Sequence, residues 1–260
     1  METLLVERDA GVVTVTMNRP EKKNAANGTM FEELLEIFIE IERTDTDRCL
    51  LLTGSGGNFC TGADLTSGDG PMMDLTRPGV VRMRRLHDVA MALHNLNKPA
   101  VAKVDGMAVG AGLSFALGCD LIVATERARF SMIFAKRGLT PDMGASWLLP
   151  RQIGMARAKE LTYSGELLHA RAALGMGLIN ELHSVDEIDD AADSLARRLA
   201  SGPTVALGLA KSLLNNAFTA TMAQALEDES RAQAINFNSP DTAEAITAFL
   251  ERRDPKFEGR

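Results

Sequence analysis

Residues Lys103 to Asp120, KVDGMAVGAGLSFALGCD, constrain the fold more than any other stretch of the chain. They begin as an apolar, strand-like run, pass through Gly106 and open an apolar helix at Gly110-Ala111-Gly112. The first four amides of a helix have no partner inside it. With only small residues there, those N–H groups are uncovered and carry the positive end of the helix dipole. An oxygen that becomes negative during a reaction is stabilised in such a place. The same glycines suit close packing of a buried helix, and this stretch alone leaves both readings open. Met107 to Ala124 is apolar enough to suggest a membrane span, but Ser114, Cys119, Asp120 and the dense glycines point to a buried helix followed by a strand.

At 260 residues there is material for one large domain, or for a domain with an appendage. A net charge of −7 argues against nucleic acid as a partner, while leaving room for a small anion on a local basic cluster. Cys49, Cys60 and Cys119 form no C-x-x-C pair and no zinc-like spacing with histidine. They read as buried, reduced thiols of a cytoplasmic protein, with no metal site. The N-terminus, METLLVERDAG, carries acids and no long apolar run, so it is not expected to be a signal peptide.

Strand and helix signals alternate along the first 200 residues. Thr3–Glu7 and Val12–Met17 read as a hairpin about Arg8-Asp9-Ala10-Gly11. Thr29-Met30-Phe31-Glu32 has the form of a capping box, with Phe31, Leu34, Leu35, Phe38 and Ile41 at helical spacing behind it. Cys49–Thr53 and Pro99–Val104 read as strands, and Arg77–Asn97 as a helix. Beyond Lys103–Asp120, short strands are expected at Leu121–Ala124 and Ala128–Phe130, a helical turn at Ala145–Leu149, and helices at Met155–Ser164 and Ile188–Ala200. From Thr204 onward only helices are evident, which sets a boundary near residue 200 between an α/β body and a helical tail.

Four segments could carry chemistry. Asn58 to Leu65, NFCTGADL, is a loop whose Gly62 could expose the Ala63 N–H, or is a plain turn. With the helix start at Ala111 it would supply two amides from different loops, as an oxyanion hole requires. In Thr140-Pro141-Asp142-Met143-Gly144, Asp142 stands among apolar residues, with Phe134 before it and Trp147 after it. Desolvation would raise its pKa toward the range of a general base. The alternative is that Asp142 caps the next helix. Arg19, Lys22 and Lys23 form either a solvated loop or a phosphate-contacting patch. His87 and His94, seven apart on one helix, read as flank residues, and Trp147 as core. No dinucleotide fingerprint, Walker sequence or G-x-S-x-G is present.

Taken in order, NRP…NA at Asn18–Ala25, FCTGADL, KPAVAKVDGMAVGAGLSFALGCDLIVA, GLTPDMGASWLLPRQIG, TYSGE, ALGMGLINEL and SPDTAEAITAFLERRDPKF resemble the crotonase superfamily, the enoyl-CoA hydratase/isomerase family. The likeness covers nearly the whole chain. It implies an α/β fold in which a spiral of ββα units (residues 1–200) binds acyl-CoA. A helical region (201–260) would build homotrimers or dimers of trimers. It implies an acyl-CoA thioester as substrate and no further cofactor.

By position, the resemblance puts the two oxyanion-hole amides on Ala63 and Ala111, beside Gly110. It implies CoA contacts through Lys22, Lys23 and Ala25 and through Asp64, Leu65 and Thr66. A further CoA contact by Lys256 and Phe257 would be made within the chain or in a neighbouring subunit. Family hydratases carry two glutamates whose slots here hold Ser114 and Phe134. Neither can activate water and return a proton, so a standard hydratase is disfavoured. Asp142 matches the acid of isomerase branches, including those that act on ring substrates, and of a dehalogenase branch. The expectation is an enoyl-CoA isomerase with one working carboxylate. An atypical hydratase using Ser114 and Asp142, and a non-catalytic acyl-CoA binder, are the alternatives. The acyl pocket is expected to be shaped by the Thr66–Pro78 loop and the helix after it.

Overall fold

The computed structural model describes residues 1–68, 76 and 78–260. Strands β1 (Leu4–Asp9) and β2 (Val12–Met17) pair antiparallel around Ala10 and Gly11. Both turn residues have positive φ, which matches the twist of the flanking strands. Parallel strands follow at β3 (Cys49–Gly54) and β4 (Ala100–Val104). Strand β5 (Met107–Val109) leaves this sheet for a second, smaller one. The large sheet resumes with β6 (Leu121–Thr125) and ends with β9 (Glu181–His183), in the order β1-β2-β3-β4-β6-β9. The small sheet is β5, β7 (Arg129–Ser131) and β8 (Leu168–His169). A strand in each sheet and then a helix is the repeating unit, the ββα spiral expected.

Both faces of the large sheet are covered, which is why its strands read as apolar runs. Leu50 and Leu52 face one way, into a core shared with α1 (Gly28–Arg43), α2 (Gly79–His94) and α3 (Ala111–Gly118). Cys49 and Leu51 face the other way, onto Ile188, Ala192, Leu195 and Ala196 of α7 (Ile188–Ala200). The intervening helices are α4 (Ala145–Ile153), α5 (Met155–Ser164) and α6 (Ala170–Met176). The chain ends in α8 (Thr204–Asn216), α9 (Met222–Asn236) and α10 (Pro240–Glu251). Arg48 Nε donates to Thr204 Oγ1 at 2.9 Å, and Lys211 pairs with Asp120 at 3.0 Å, so α8 is fastened to the α/β body.

Several local expectations are corrected. Helix α1 is capped by Asn27, whose Oδ1 accepts from Met30 N at 3.1 Å. Thr29 therefore lies inside the first turn, and Glu32 pairs with Arg85 at 3.0 Å instead of closing a capping box. Helix α2 runs from Gly79 to His94, entered from Pro78; Arg77 and most of the Thr66–Pro78 loop lie outside the described residues. Met107–Val109 is strand rather than helix, and α4 continues to Ile153. No helix among the described residues is long and apolar enough to cross a membrane.

Candidate active site

The site forms where the chain leaves the C-terminal ends of β3 and β5, the usual place for ligands in open α/β sheets. Gly110 precedes α3 with φ +56° and ψ −126°, a backbone conformation open to glycine. Ser114 N donates to Gly110 O at 3.0 Å, the first bond of the helix, so the Ala111 amide precedes the bonded part. Gly112 lets this helix start lie against the other loop: a Cβ there would sit 2.1 Å from Cys60 O. In that loop Gly62 O accepts from Ala26 N and Asp64 N donates to Ala26 O, each at 2.8 Å. This parallel bridge leaves the intervening Ala63 N–H without an acceptor among the described residues. A Cβ on Gly62 would lie 3.5 Å from Ala111 N, so the two loops meet at these amides.

The other residues converge on the same point. The Gly110 backbone faces Ile133 and Phe134: a Cβ there would lie 3.9 Å from Phe134 Cζ. Ser114 is buried, and its Oγ lies 3.2 Å from Asp142 O and 3.3 Å from Gly110 O. Its hydroxyl is thus turned to main-chain carbonyls. Asp142 does not cap α4. The N-cap is Gly144 and makes no side-chain cap bond, while Asp142 contributes only its carbonyl, accepting from Ala145 N at 3.0 Å. Its carboxylate Oδ1 is buried with no hydrogen-bond partner among the described residues. Burial pushes the Asp142 carboxyl up to about 6, against opposing effects of the His87 charge and a main-chain hydrogen bond. Met143 and Gly144 follow with φ +51° and +81°, a tight turn that holds the carboxylate in place.

The basic cluster is divided. Arg19 is consumed by structure: it pairs with the buried Asp64 at 3.0 Å and donates to Ala25 O. Burial pushes the Asp64 carboxyl up, but hydrogen bonds from Thr66 and Arg19 outweigh it and hold the group below its ordinary range. Asn24, fully buried, donates to Ser55 O and Asn58 O and so pins the Lys22–Ala25 turn to the Ala63 loop. Lys22 and Lys23 remain exposed at the rim, as do Leu65 and Thr66.

Lys256 and Phe257 are not brought to this site within the chain. Arg48 donates to Phe257 O, and Asp241 accepts from Glu258 N and Gly259 N. These contacts tie the C-terminus to the start of β2 and β3, at the opposite end of the sheet from Ala63. Trp147 is also misread as core. It is half-buried, with the Arg151 guanidinium 3.5 Å over its ring and His94 edge-on at 5.3 Å. His87 is exposed on α2, as a flank residue was expected to be.

Residues 7–260 match the family model described as enoyl-CoA hydratase/isomerase. The chain belongs to this family, the crotonase superfamily. It is an enzyme-family member 42% identical over 264 residues to the 1,2-epoxyphenylacetyl-CoA isomerase of Escherichia coli strain K12, covering 100% of both chains. It is 31% identical over 264 residues to the short-chain-enoyl-CoA hydratase of Clostridium acetobutylicum, covering 100% of this chain and 98% of that one. The solved enoyl-CoA hydratase/isomerase from Cupriavidus metallidurans CH34 superposes with a TM-score of 0.92 at 33% identity, over 100% of this chain and 97% of that one. The crotonase fold read from the motifs is therefore the fold of this chain.

Proposed function

We propose that this crotonase isomerises acyl-CoA thioesters by proton transfer, with Asp142 as the acid–base group and the Ala63 and Ala111 amides as oxyanion donors. The observation that carries the reading is the half-buried Asp142 carboxylate, whose Oδ1 is buried and unpartnered among the described residues and which makes no cap. The thioester C=O accepts from the two amides, which acidifies the protons on C2. Asp142 takes a proton from C2 of a 3-enoyl-CoA. The electron pair moves into the thioester to give an enolate held by the amides. Asp142–COOH then returns the proton to C4, and the double bond lies between C2 and C3. An oxyanion donor contributes about 2.7–4 kcal/mol in comparable sites.

A hydratase reading is less supported. Phe134 has no acid–base chemistry, and the Ser114 hydroxyl is directed to main-chain carbonyls instead of a water. The likeness to the epoxyphenylacetyl-CoA isomerase supports offering a ring-epoxide thioester beside the linear 3-enoyl-CoA as substrate. In this reading Lys22, Lys23, Ala25, Asp64, Leu65 and Thr66 form the CoA rim, and Gly110, Ser114 and Phe134 wall the acyl site. Exposed Phe218, Met222, Phe237, Phe249 and Leu250 support residues 201–260 as the oligomerisation region, where Lys256 and Phe257 would meet a neighbouring subunit. The cytoplasm is the proposed location.

The test is Asp142→Ala. Isomerisation of 3-enoyl-CoA should fall by about 10²–10⁴-fold, with acyl-CoA affinity kept. Full activity in that variant removes Asp142 from the reaction.

A further inference from the structure

Arg19 and Asp64 form a largely buried ion pair that joins two loops. Arg19 lies just after β2, and Asp64 lies in the loop after β3. Arg19 Nη2 donates to Asp64 Oδ2 at 3.0 Å, with the two side chains 15% and 5% exposed. Nη1 of the same guanidinium donates to Ala25 O. The other carboxylate oxygen, Oδ1, accepts from Thr66 N at 2.9 Å and from Thr66 Oγ1 at 2.7 Å. The main chain of Arg19 is fixed as well: its N–H donates to Asn24 Oδ1, and its carbonyl accepts from Asn24 N, each at 2.9 Å. These contacts bracket one peptide. Ala63 lies between Gly62, whose O accepts from Ala26 N, and Asp64, whose N donates to Ala26 O. The guanidinium therefore holds both sides of that bridge, Ala25 on one and Asp64 on the other, with the Ala63 amide between them.

We infer that Arg19 and Asp64 are positioning residues that aim the Ala63 amide at the thioester oxygen. The inference rests on the oxyanion reading above. A buried ion pair contributes little net stability, because desolvation of the two charges offsets their attraction. What this pair supplies is geometry: the planar guanidinium reaches two acceptors at once in a fixed fork. An oxyanion donor works when its N–H already points to where negative charge develops. The Ala63 peptide follows Gly62, at φ +97°, and is held by a single bridge to Ala26 rather than by a ladder. A Cβ on Gly62 would lie 3.5 Å from Ala111 N, so a tilt of this peptide changes the spacing of the two donors. Asp64 keeps its place on the rim, but its carboxylate, committed to Arg19 and Thr66, acts through the amide before it.

The test compares wild type with Arg19→Met, Arg19→Lys and the combined Arg19→Met/Asp64→Asn. The combined variant strands no charge in the loop, and Arg19→Lys keeps the charge but not the fork, so both guard against a loss that reflects misfolding. The first readout is the infrared stretch of the thioester carbonyl of hexanoyl-CoA, isotope-labelled at that carbon; this ligand has no double bond to move, so no turnover is needed. The second is kcat and KM on a 3-enoyl-CoA, beside the Kd of hexanoyl-CoA. On wild type the carbonyl stretch should fall in frequency, because the two amides polarise it. Arg19→Met and the combined variant should lose most of that fall, and Arg19→Lys part of it. In the first two, kcat should drop by about ten- to a hundred-fold while Kd stays within about two-fold of wild type. The full wild-type downshift in the combined variant or in Arg19→Met overturns the inference. A rise in KM and Kd at unchanged kcat also overturns it, because the pair would then serve the rim alone. No downshift in wild type itself would sink the oxyanion reading, and the positioning role with it.

Discussion

Ser114 Oγ lies 3.2 Å from the main-chain carbonyl oxygen of Asp142. This contact joins the helix that carries the Ala111 amide to the loop that carries the carboxylate. Ser114 is thus a short tie between the two halves of the candidate site.

Ser114→Ala should therefore act on geometry more than on chemistry. The carbonyl of Asp142 keeps its bond from Ala145 N, so the stability loss should stay near 0.5–1.5 kcal/mol. The expected kinetic result is a drop in kcat of up to about ten-fold, with acyl-CoA affinity nearly unchanged. Denaturant titration and steady-state kinetics measure both, and an unchanged kcat would show that the tie does not position the loop.

The half-buried carboxylate should also cost stability. Asp142 has a folded-state pKa near 6, raised above the ordinary aspartate value. The folded state thus binds the proton more tightly than the unfolded chain. The stability this confers is complete below the ordinary range and is lost as pH rises through about 6. Asp142→Asn never ionises, so at pH 8 it should be more stable than wild type by about 1–2 kcal/mol, after discounting for partial exposure. Near pH 3.5 the two should coincide. Equal unfolding midpoints at pH 8 would contradict the raised pKa.

Two glycines separate backbone approach from side-chain contact. A Cβ on Gly112 would lie 2.1 Å from the Cys60 carbonyl oxygen, which cannot give way without parting the Ala63 loop from the start of α3. Gly112→Ala should lose most activity and about 3 kcal/mol or more of stability. A Cβ on Gly118 would meet the Leu93 side chain, Cδ2 at 2.8 Å and Cγ at 3.4 Å, rather than any backbone atom. Gly118→Ala should retain activity and cost less. Similar losses in both variants would count against this account of the loop junction.

The thiols should be silent in the native protein. Cys49, Cys60 and Cys119 are buried and free. Burial pushes the Cys49 and Cys60 thiols up to about 12 and raises Cys119 as well. Since the thiolate is the reactive form, a maleimide or disulfide reagent at pH 8 should label none in the folded state and all three in denaturant. Rapid labelling of the folded protein would place a thiol nearer solvent.

Much of the candidate site was legible because it is built from main chain. Gly62 before Ala63 and Gly110 before Ala111 mark places where backbone must turn sharply or approach closely, and glycine is the residue that allows it. Asp142 was legible because it is a carboxylate in apolar company. The helix caps were less so: Asn27 and Thr29 are both good capping residues, and which one serves depends on where the backbone turns, not on side-chain chemistry.

The sequence by itself determined the alternation of strand and helix and the burial of the thiols. These follow from residue type and local periodicity, which chain neighbours suffice to express. Only the tertiary structure decided that Ala63 and Ala111 meet, that Ser114 is committed to main-chain carbonyls, and that Asp142 is free of capping. Each of these is a distance between segments far apart in the chain. Such distances are fixed by how α2, α3 and α4 pack on the sheet, and no local signal contains them.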